Sequence, residues 1–256
     1  DVQGQAQVLS CTPAEAGAAA QGFVAHFLDG GWVPRWSAPS PADCMTGTTS
    51  DTVLADMVAY GIHGPDGVDL RQAWESALTH ATVPPSDPRV GRKGLHPALF
   101  RGYVSTAVSE GMSWTLDAAL NDWSASRIGR ALAVTLPEGA ERTRVEVECE
   151  WLERRSLLYR EVFDPERGFF IGRDERGDWR VGEEFDPDDW GEDYTETNAW
   201  GTVVTVPHDG AGLARLHGGE DGLGALLDRV VARPETGAAA RKGSYGQPIH
   251  EMTEAR

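Results

Sequence analysis

No apolar run in this chain of 256 residues approaches the roughly 18 residues that a transmembrane helix requires. Basic residues are also scarce. Lys and Arg number 23 against 40 Asp and Glu, a formal net charge of −17. Phosphate binding needs clustered Lys and Arg, so the balance argues against nucleic acid or an anionic membrane as partner. It agrees with a neutral substrate and with divalent cations held by oxygen ligands. Cysteine is rare: Cys11, Cys44 and Cys149 cannot all pair within one chain, and none sits at metal-ligand spacing. The chain opens on Asp1 without a signal peptide and closes at Arg256 without a tail signal. Both ends are expected to be cuts through a longer domain.

What is present suffices for a packed core. The hydrophobic fraction is 40% with 9 Trp, which excludes a disordered chain, and the length suits one large domain or two small ones. Thr12-Pro13-Ala14-Glu15 reads as a capping box opening a helix to about Leu28, with Phe23, Val24, Phe27 and Leu28 on one face and Gly30-Gly31 as its stop. Further helices are expected over 50–62, 70–82, 113–134 and 138–162, then over 210–216 and 222–231, with 84–104 as a long connection. Phe169 to Val181 reads as a short inserted β-hairpin. Trp32 to Gly47 is a Pro-, Ser- and aromatic-rich loop whose Trp32 and Trp36 either serve a site or plug the loop onto the core. His80, ending its helix, is a site residue, a C-terminal dipole partner or ordinary surface.

Chemistry concentrates between Phe185 and Asp209. That stretch gathers Asp186, Asp188, Asp189, Glu192, Asp193 and Glu196 with Trp190, Tyr194, Trp200, Asn198 and His208. A sugar ring offers a weakly apolar face that stacks on Trp or Tyr, and an edge of hydroxyls that carboxylates, amides and imidazoles bind. Its glycosidic bond breaks fastest when one carboxylic acid protonates the leaving oxygen while a second carboxylate acts from the opposite side. The plainer alternative is a solvated acidic loop with buried Trp.

The words Phe185-Asp186-Pro187, Tyr194-Thr195-Glu196-Thr197-Asn198-Ala199-Trp200 and Val206-Pro207-His208-Asp209 resemble the signature of the glycoside hydrolase family 92 α-mannosidases. Gly218-Gly219 and Tyr245-Gly246-Gln247-Pro248-Ile249-His250-Glu251-Met252 continue it. Upstream, Gly31-Trp32-Val33-Pro34-Arg35-Trp36, Leu54-Ala55-Asp56, His80-Ala81-Thr82 and Leu116-Asp117 to Asn121-Asp122-Trp123 follow in the family's order.

The resemblance implies a mainly α chain forming an incomplete (α/α)6 toroid with a small β-hairpin. All of residues 1–256 would then be part of a catalytic domain, without the family's N-terminal β-sandwich or the last part of the barrel. It implies release of mannose, with inversion, from the non-reducing ends of α-linked mannosides, α-1,2 foremost, in an exported enzyme. Glu196 would be the general acid, near the start of a helix over 195–205 with Trp200 one turn on, its proton retained through burial or a neighbouring carboxylate such as Asp193.

His250 and Glu251 would bind the sugar on the leaving-group side. Asn198, Trp200 and Asp1 would complete the substrate contacts, although the residues after Asp1 do not keep the family's spacing. Asp209 could equally cap the following helix. A Ca²⁺ ion on the sugar's 2- and 3-hydroxyls and the general base are both expected to draw on residues beyond Arg256, and this chain alone is expected to be inactive. Thr197 stands where the family usually has Gly, which removes easy access to positive φ. Two other classes compete: a non-catalytic carbohydrate-binding helical domain, and an α/α-toroid glycosidase acting on glucosides.

Overall fold

The computed structural model describes residues 12–36, 40–65, 67–180 and 185–233. The chain divides into two compact units, one formed by residues 1–96 and 117–157, the other by 97–116 and 158–256. Among the described residues the chain is mainly α, as expected, with one two-stranded sheet.

The first unit contains α1 (Pro13–Gly30), α2 (Ser50–Ala59), α3 (Leu70–Thr82), most of α5 (Gly111–Thr135) and α6 (Ala140–Arg155). Helix α1 begins at Pro13, with the Ala16 N–H donating to the Thr12 carbonyl. It stops where Gly31, at φ 76°, turns its N–H back to the Phe27 carbonyl. Its buried face includes the expected Val24, with Phe23 packed against the same core, and departs from expectation at Leu28. Ala16, Ala20 and Val24 point inward at i, i+4 and i+8, whereas Leu28 is exposed. Small side chains let α1 approach α2 and α3 closely. Helix α3 has the expected ends: the Asp69 carboxylate accepts the Gln72 N–H, and Pro84 follows two residues after Thr82.

The core of this unit joins Leu54, Met57, Val68, Trp74, Ile128, Leu132, Val145, Cys149 and Leu152. Burial pushes the Cys149 thiol up to about 12, so it acts here as a small apolar group. Gly129 of α5 is where Trp74 and Cys149 close in. A β-carbon there would stand 2.5 Å from Cys149 Sγ and 2.6 Å from Trp74 Cζ3. Gly129→Ala is expected to destabilise the protein by about 1–3 kcal/mol despite alanine's better helix propensity. A thermal midpoint equal to or above that of the parent would contradict this packing.

The second unit carries α4 (Leu95–Arg101) for most of its length, the start of α5, and a 3₁₀ turn over Leu158–Val162. The strands β1 (Phe163–Asp164) and β2 (Phe169–Phe170) pair antiparallel in the register Phe163 to Phe170 and Asp164 to Phe169. The hairpin therefore lies earlier than expected. Its turn is made by Asp164, whose carboxylate accepts the Glu166 and Arg167 N–H groups, and by Gly168 at φ 75°. The stretch read as hairpin contributes β2 and, among its described residues, a further bridge, Arg173 to Trp179, around a turn that Asp174 organises in the same way. Helix α4 falls inside the expected connection; at seven residues it is too short to show a period. The unit continues through α7 (Ala199–Thr202), a 3₁₀ turn at Pro207–Asp209, α8 (Gly210–Leu216) and α9 (Glu220–Ala232). Tyr159, Val162, Phe163, Phe170 and Ile171 are buried, with the Phe163 and Phe170 rings edge to face at 5.4 Å.

Candidate active site

The acidic word around Glu196 forms a closed loop. The Gly191 N–H donates to the Thr197 carbonyl at 3.0 Å, and the Tyr194 N–H donates to the Gly191 carbonyl at 3.0 Å. Three residues in it have positive φ: Gly191 (84°), Glu192 (58°) and Glu196 (51°). For the two glutamates this is uncommon backbone that surrounding bonds must hold.

Those bonds come from two sides. Tyr194 is buried and donates its hydroxyl to the Phe170 carbonyl at 2.9 Å, and burial raises its pKa further above the ordinary phenol value. The Asp193 carboxylate, also buried, accepts Arg180 Nη1 at 2.8 Å and lies against Gly172, where a β-carbon would collide with it. Burial raises the Asp193 carboxyl, and the Arg180 guanidinium works against that rise. The other side is the N-terminus of α5. The Glu110 N–H donates to the Glu192 carbonyl at 3.0 Å, the Ser113 N–H donates to the Asp193 carbonyl at 3.2 Å, and Ser113 Oγ accepts the Thr195 N–H at 3.0 Å. The loop thus fills amides that a helix start leaves unpaired.

Glu196 projects from this loop as an exposed residue. The expected helix over 195–205 is reduced to α7, because Asn198 takes the N-cap and its side-chain oxygen accepts the Gly201 N–H at 3.1 Å. Glu196 accordingly precedes the helix, and its expected register with Trp200 does not form. The Asp193 carboxylate faces Arg180.

Asn198 has its amide oxygen committed to the cap. Trp200 is buried, with Arg233 and Arg229 at 4.2 and 5.0 Å from its ring centroid and Phe169 edge-on at 4.8 Å. It serves as a packing hub of α7 and α9 more than as an open platform. Asp209 takes the capping role left open by the sequence, accepting the Gly212 N–H at 2.8 Å. Burial opposes its ionisation, but hydrogen bonds from Tyr159, Arg160 and Gly212 outweigh it and hold the carboxyl below its ordinary value. Asp1, His250 and Glu251 lie outside the described residues.

The upstream words meet in the first unit. The Val33 N–H donates to His80 Nε2 at 3.3 Å, and His80 Nδ1 lies 2.8 Å from Asp51 Oδ1. An amide can only donate, so Nδ1 carries the ring proton and donates it in a hydrogen bond to Asp51 Oδ1. His80 is therefore neither dipole partner nor surface residue. Both its nitrogens are engaged, Trp32 stacks on it at 5.8 Å, and it pins the aromatic loop. Trp36 is 46% exposed.

Beside this dyad, buried Arg92 donates to Asp122 at 2.6 Å and to Thr48 Oγ1 at 3.2 Å, while Arg155 also donates to Asp122. Asn121 Oδ1 accepts the Thr48 N–H at 2.8 Å. Burial disfavours the Asp122 carboxylate, but the two guanidiniums overcome it and keep its pKa low. Nothing in sequence spacing links Arg92, Arg155, Asp51, Arg180 or Ser113 to its partners.

Among the described residues no group of three or more His, Cys, Asp or Glu is placed to hold a metal ion, and no helix is long and apolar enough to cross a membrane. Residues 5–253 match the model of the glycosyl hydrolase family 92 catalytic domain. No curated protein sequence matches this chain.

Among solved structures, an inverting family GH92 mannosidase of Bacteroides thetaiotaomicron is 29% identical with a TM-score of 0.73, covering 92% of this chain and 30% of its own. A family GH92 α-mannosidase of the same organism is 26% identical with a TM-score of 0.70, covering 91% and 28%. That α-mannosidase in complex with mannoimidazole matches at 26% identity and a TM-score of 0.65, covering 85% and 27%. The chain thus spans less than a third of the length of the structures it resembles. The likeness bears out the mainly α, α/α-toroid class.

Proposed function

Because the chain belongs to glycosyl hydrolase family 92, we propose that the enzyme carrying it releases mannose from the non-reducing ends of α-mannosides, α-1,2-linked above all, with inversion at the anomeric carbon. The observation that carries this reading is the family match over residues 5–253. The closed loop, presenting Glu196 on backbone held from two sides, supports it.

In this reading Glu196 donates its proton to the glycosidic oxygen as the C–O bond breaks. The mannosyl ring, carrying oxocarbenium-like charge, is attacked by water from the opposite face. Inversion requires a carboxylate base about 6.5–9.5 Å from the acid, with the water between them. We place that base beyond Arg256, and this chain alone is then inactive. Asn198, with its oxygen used in the cap, offers its amide N–H groups to a sugar hydroxyl. His250 and Glu251 would bind two hydroxyls of the next sugar and reject linkages that leave either group unpaired.

The described residues supply no donor set for the Ca²⁺ ion that the family resemblance implies. The ion would draw its oxygen ligands from elsewhere in the whole enzyme. A polymeric or glycoprotein mannan as substrate fits an exported enzyme.

The test is mannose release from α-1,2-mannobiose by the whole enzyme and by this chain, each with and without chelator. Release by the whole enzyme alone, abolished by chelator and restored by calcium, is the expected result. Saturable mannoside binding without release by the whole enzyme would favour a carbohydrate-binding domain instead. Release by the isolated chain would remove the claim that its base lies elsewhere.

A further inference from the structure

We infer that Ser113 is a positioning residue for the candidate acid Glu196, an inference that rests on the acid assignment made above. Ser113 grips the acid loop with both its backbone and its side chain. Its N–H donates to the Asp193 carbonyl at 3.2 Å, and its Oγ accepts the Thr195 N–H at 3.0 Å. These bonds bracket Tyr194 and end one residue before Glu196. Ser113 is 7% exposed and stands in the first turn of α5, a 25-residue helix, so the loop is referred to a rigid element.

The geometry at Glu196 makes such a reference necessary. At φ 51° its backbone is in the left-handed region, where a side chain with a β-carbon stays only under constraint. Thr197 after it cannot supply the freedom that glycine would. If the Thr195 N–H loses its acceptor, the Glu196 backbone can relax toward negative φ and swing the carboxyl away from the glycosidic oxygen. Misplacement of a reacting group by about 1 Å costs on the order of a hundredfold in rate. The remaining anchors, Tyr194 to Phe170 and Asp193 to Arg180, hold the other half of the loop and should preserve its fold when Ser113 is cut back.

A residue acting through a general acid leaves a signature that a purely structural residue does not. Proton donation matters when the leaving group is a poor one, such as a sugar, and hardly at all when it is a good one, such as dinitrophenolate. Ser113→Ala in the whole enzyme should lower kcat on α-1,2-mannobiose by roughly 10- to 100-fold while leaving kcat on 2,4-dinitrophenyl α-mannoside within about threefold. In a Glu196→Gln background the same change should add less than about threefold on mannobiose, because the group it positions is already gone.

Equal losses on both substrates, or full multiplication of the two effects, would overturn the positioning role. Glu196→Gln alone on the two substrates tests the acid assignment separately. A loss there confined to mannobiose, with Ser113→Ala indistinguishable from the parent enzyme, would leave the acid standing and remove Ser113.

Discussion

Glu196→Gln in the whole enzyme lowers kcat on α-1,2-mannobiose by roughly a hundred- to ten-thousand-fold, the range that a positioned general acid contributes. Gln keeps the length and shape of the side chain and faces the same backbone demand at φ 51°, so the loop need not move. What is lost is the proton. On 2,4-dinitrophenyl α-mannoside, whose leaving group needs little protonation, the same variant should stay within about tenfold of the parent. KM should change little on either substrate if the carboxyl acts in the transition state and not in uniform binding. The measurement is steady-state kinetics on the two substrates side by side. Unchanged turnover of mannobiose would remove Glu196 as the acid, and equal losses on both substrates would assign it to binding or folding.

The parts of the fold legible in the sequence are those where independent local signals agree. Helix α3 has an apolar period and a Pro84-Pro85 stop and runs over the expected 70–82, with the Asp69 cap added by the structure. Helix α1 has its expected start and stop, and its buried face takes in the expected Val24 and Phe23 but leaves Leu28 exposed. Ala16 and Ala20 carry little hydrophobic weight, yet they pack best where helices approach closely. The hairpin lies earlier than expected because Phe163 and Asp164 are too short a run to show a strand period, and only the pairing with Phe169 and Phe170 makes them a strand.

The acid loop was legible as a word and not as a shape. A Thr195 to Thr205 helix suits the spacing of Glu196 and Trp200, but the Asn198 cap and the bonds to Ser113, Phe170 and Arg180 hold the residues before Ala199 in a closed turn. The network around Asp122 was the least legible part. Its partners at Arg92 and Arg155 lie 30 and 33 residues away, and such distances carry no periodic signal. Only the order of the family's words singled out Asn121 and Asp122.

Asp122→Asn should be the most damaging conservative change among the buried polar residues of the first unit. Asn preserves volume and one acceptor oxygen but removes the charge that balances two guanidiniums, and Arg92 and Asp122 are each 2% exposed. Breaking a buried ion pair from one side costs about 3–5 kcal/mol, since the surviving charge stays desolvated. Two features moderate the loss. Asp51 lies 3.5 Å from Arg92 and can take up part of its charge. Arg155 rests over the Trp151 ring at 4.3 Å, which offers it a weaker substitute.

A fall in thermal midpoint of roughly 6–20 °C follows from that range for a protein of this size, and its pH dependence separates charge from packing. Asp122 has a lowered pKa in the folded state. Its contribution is therefore present in full above the unfolded carboxylate value of about 3.9, and is lost as pH falls through the folded value below that. Unfolding curves of parent and variant should stay separated at neutral pH and converge on the acid side. Parallel curves down to the acid limit would mean that the loss comes from packing, and a neutral-pH difference under about 1 kcal/mol would mean that the two arginines find their compensation elsewhere.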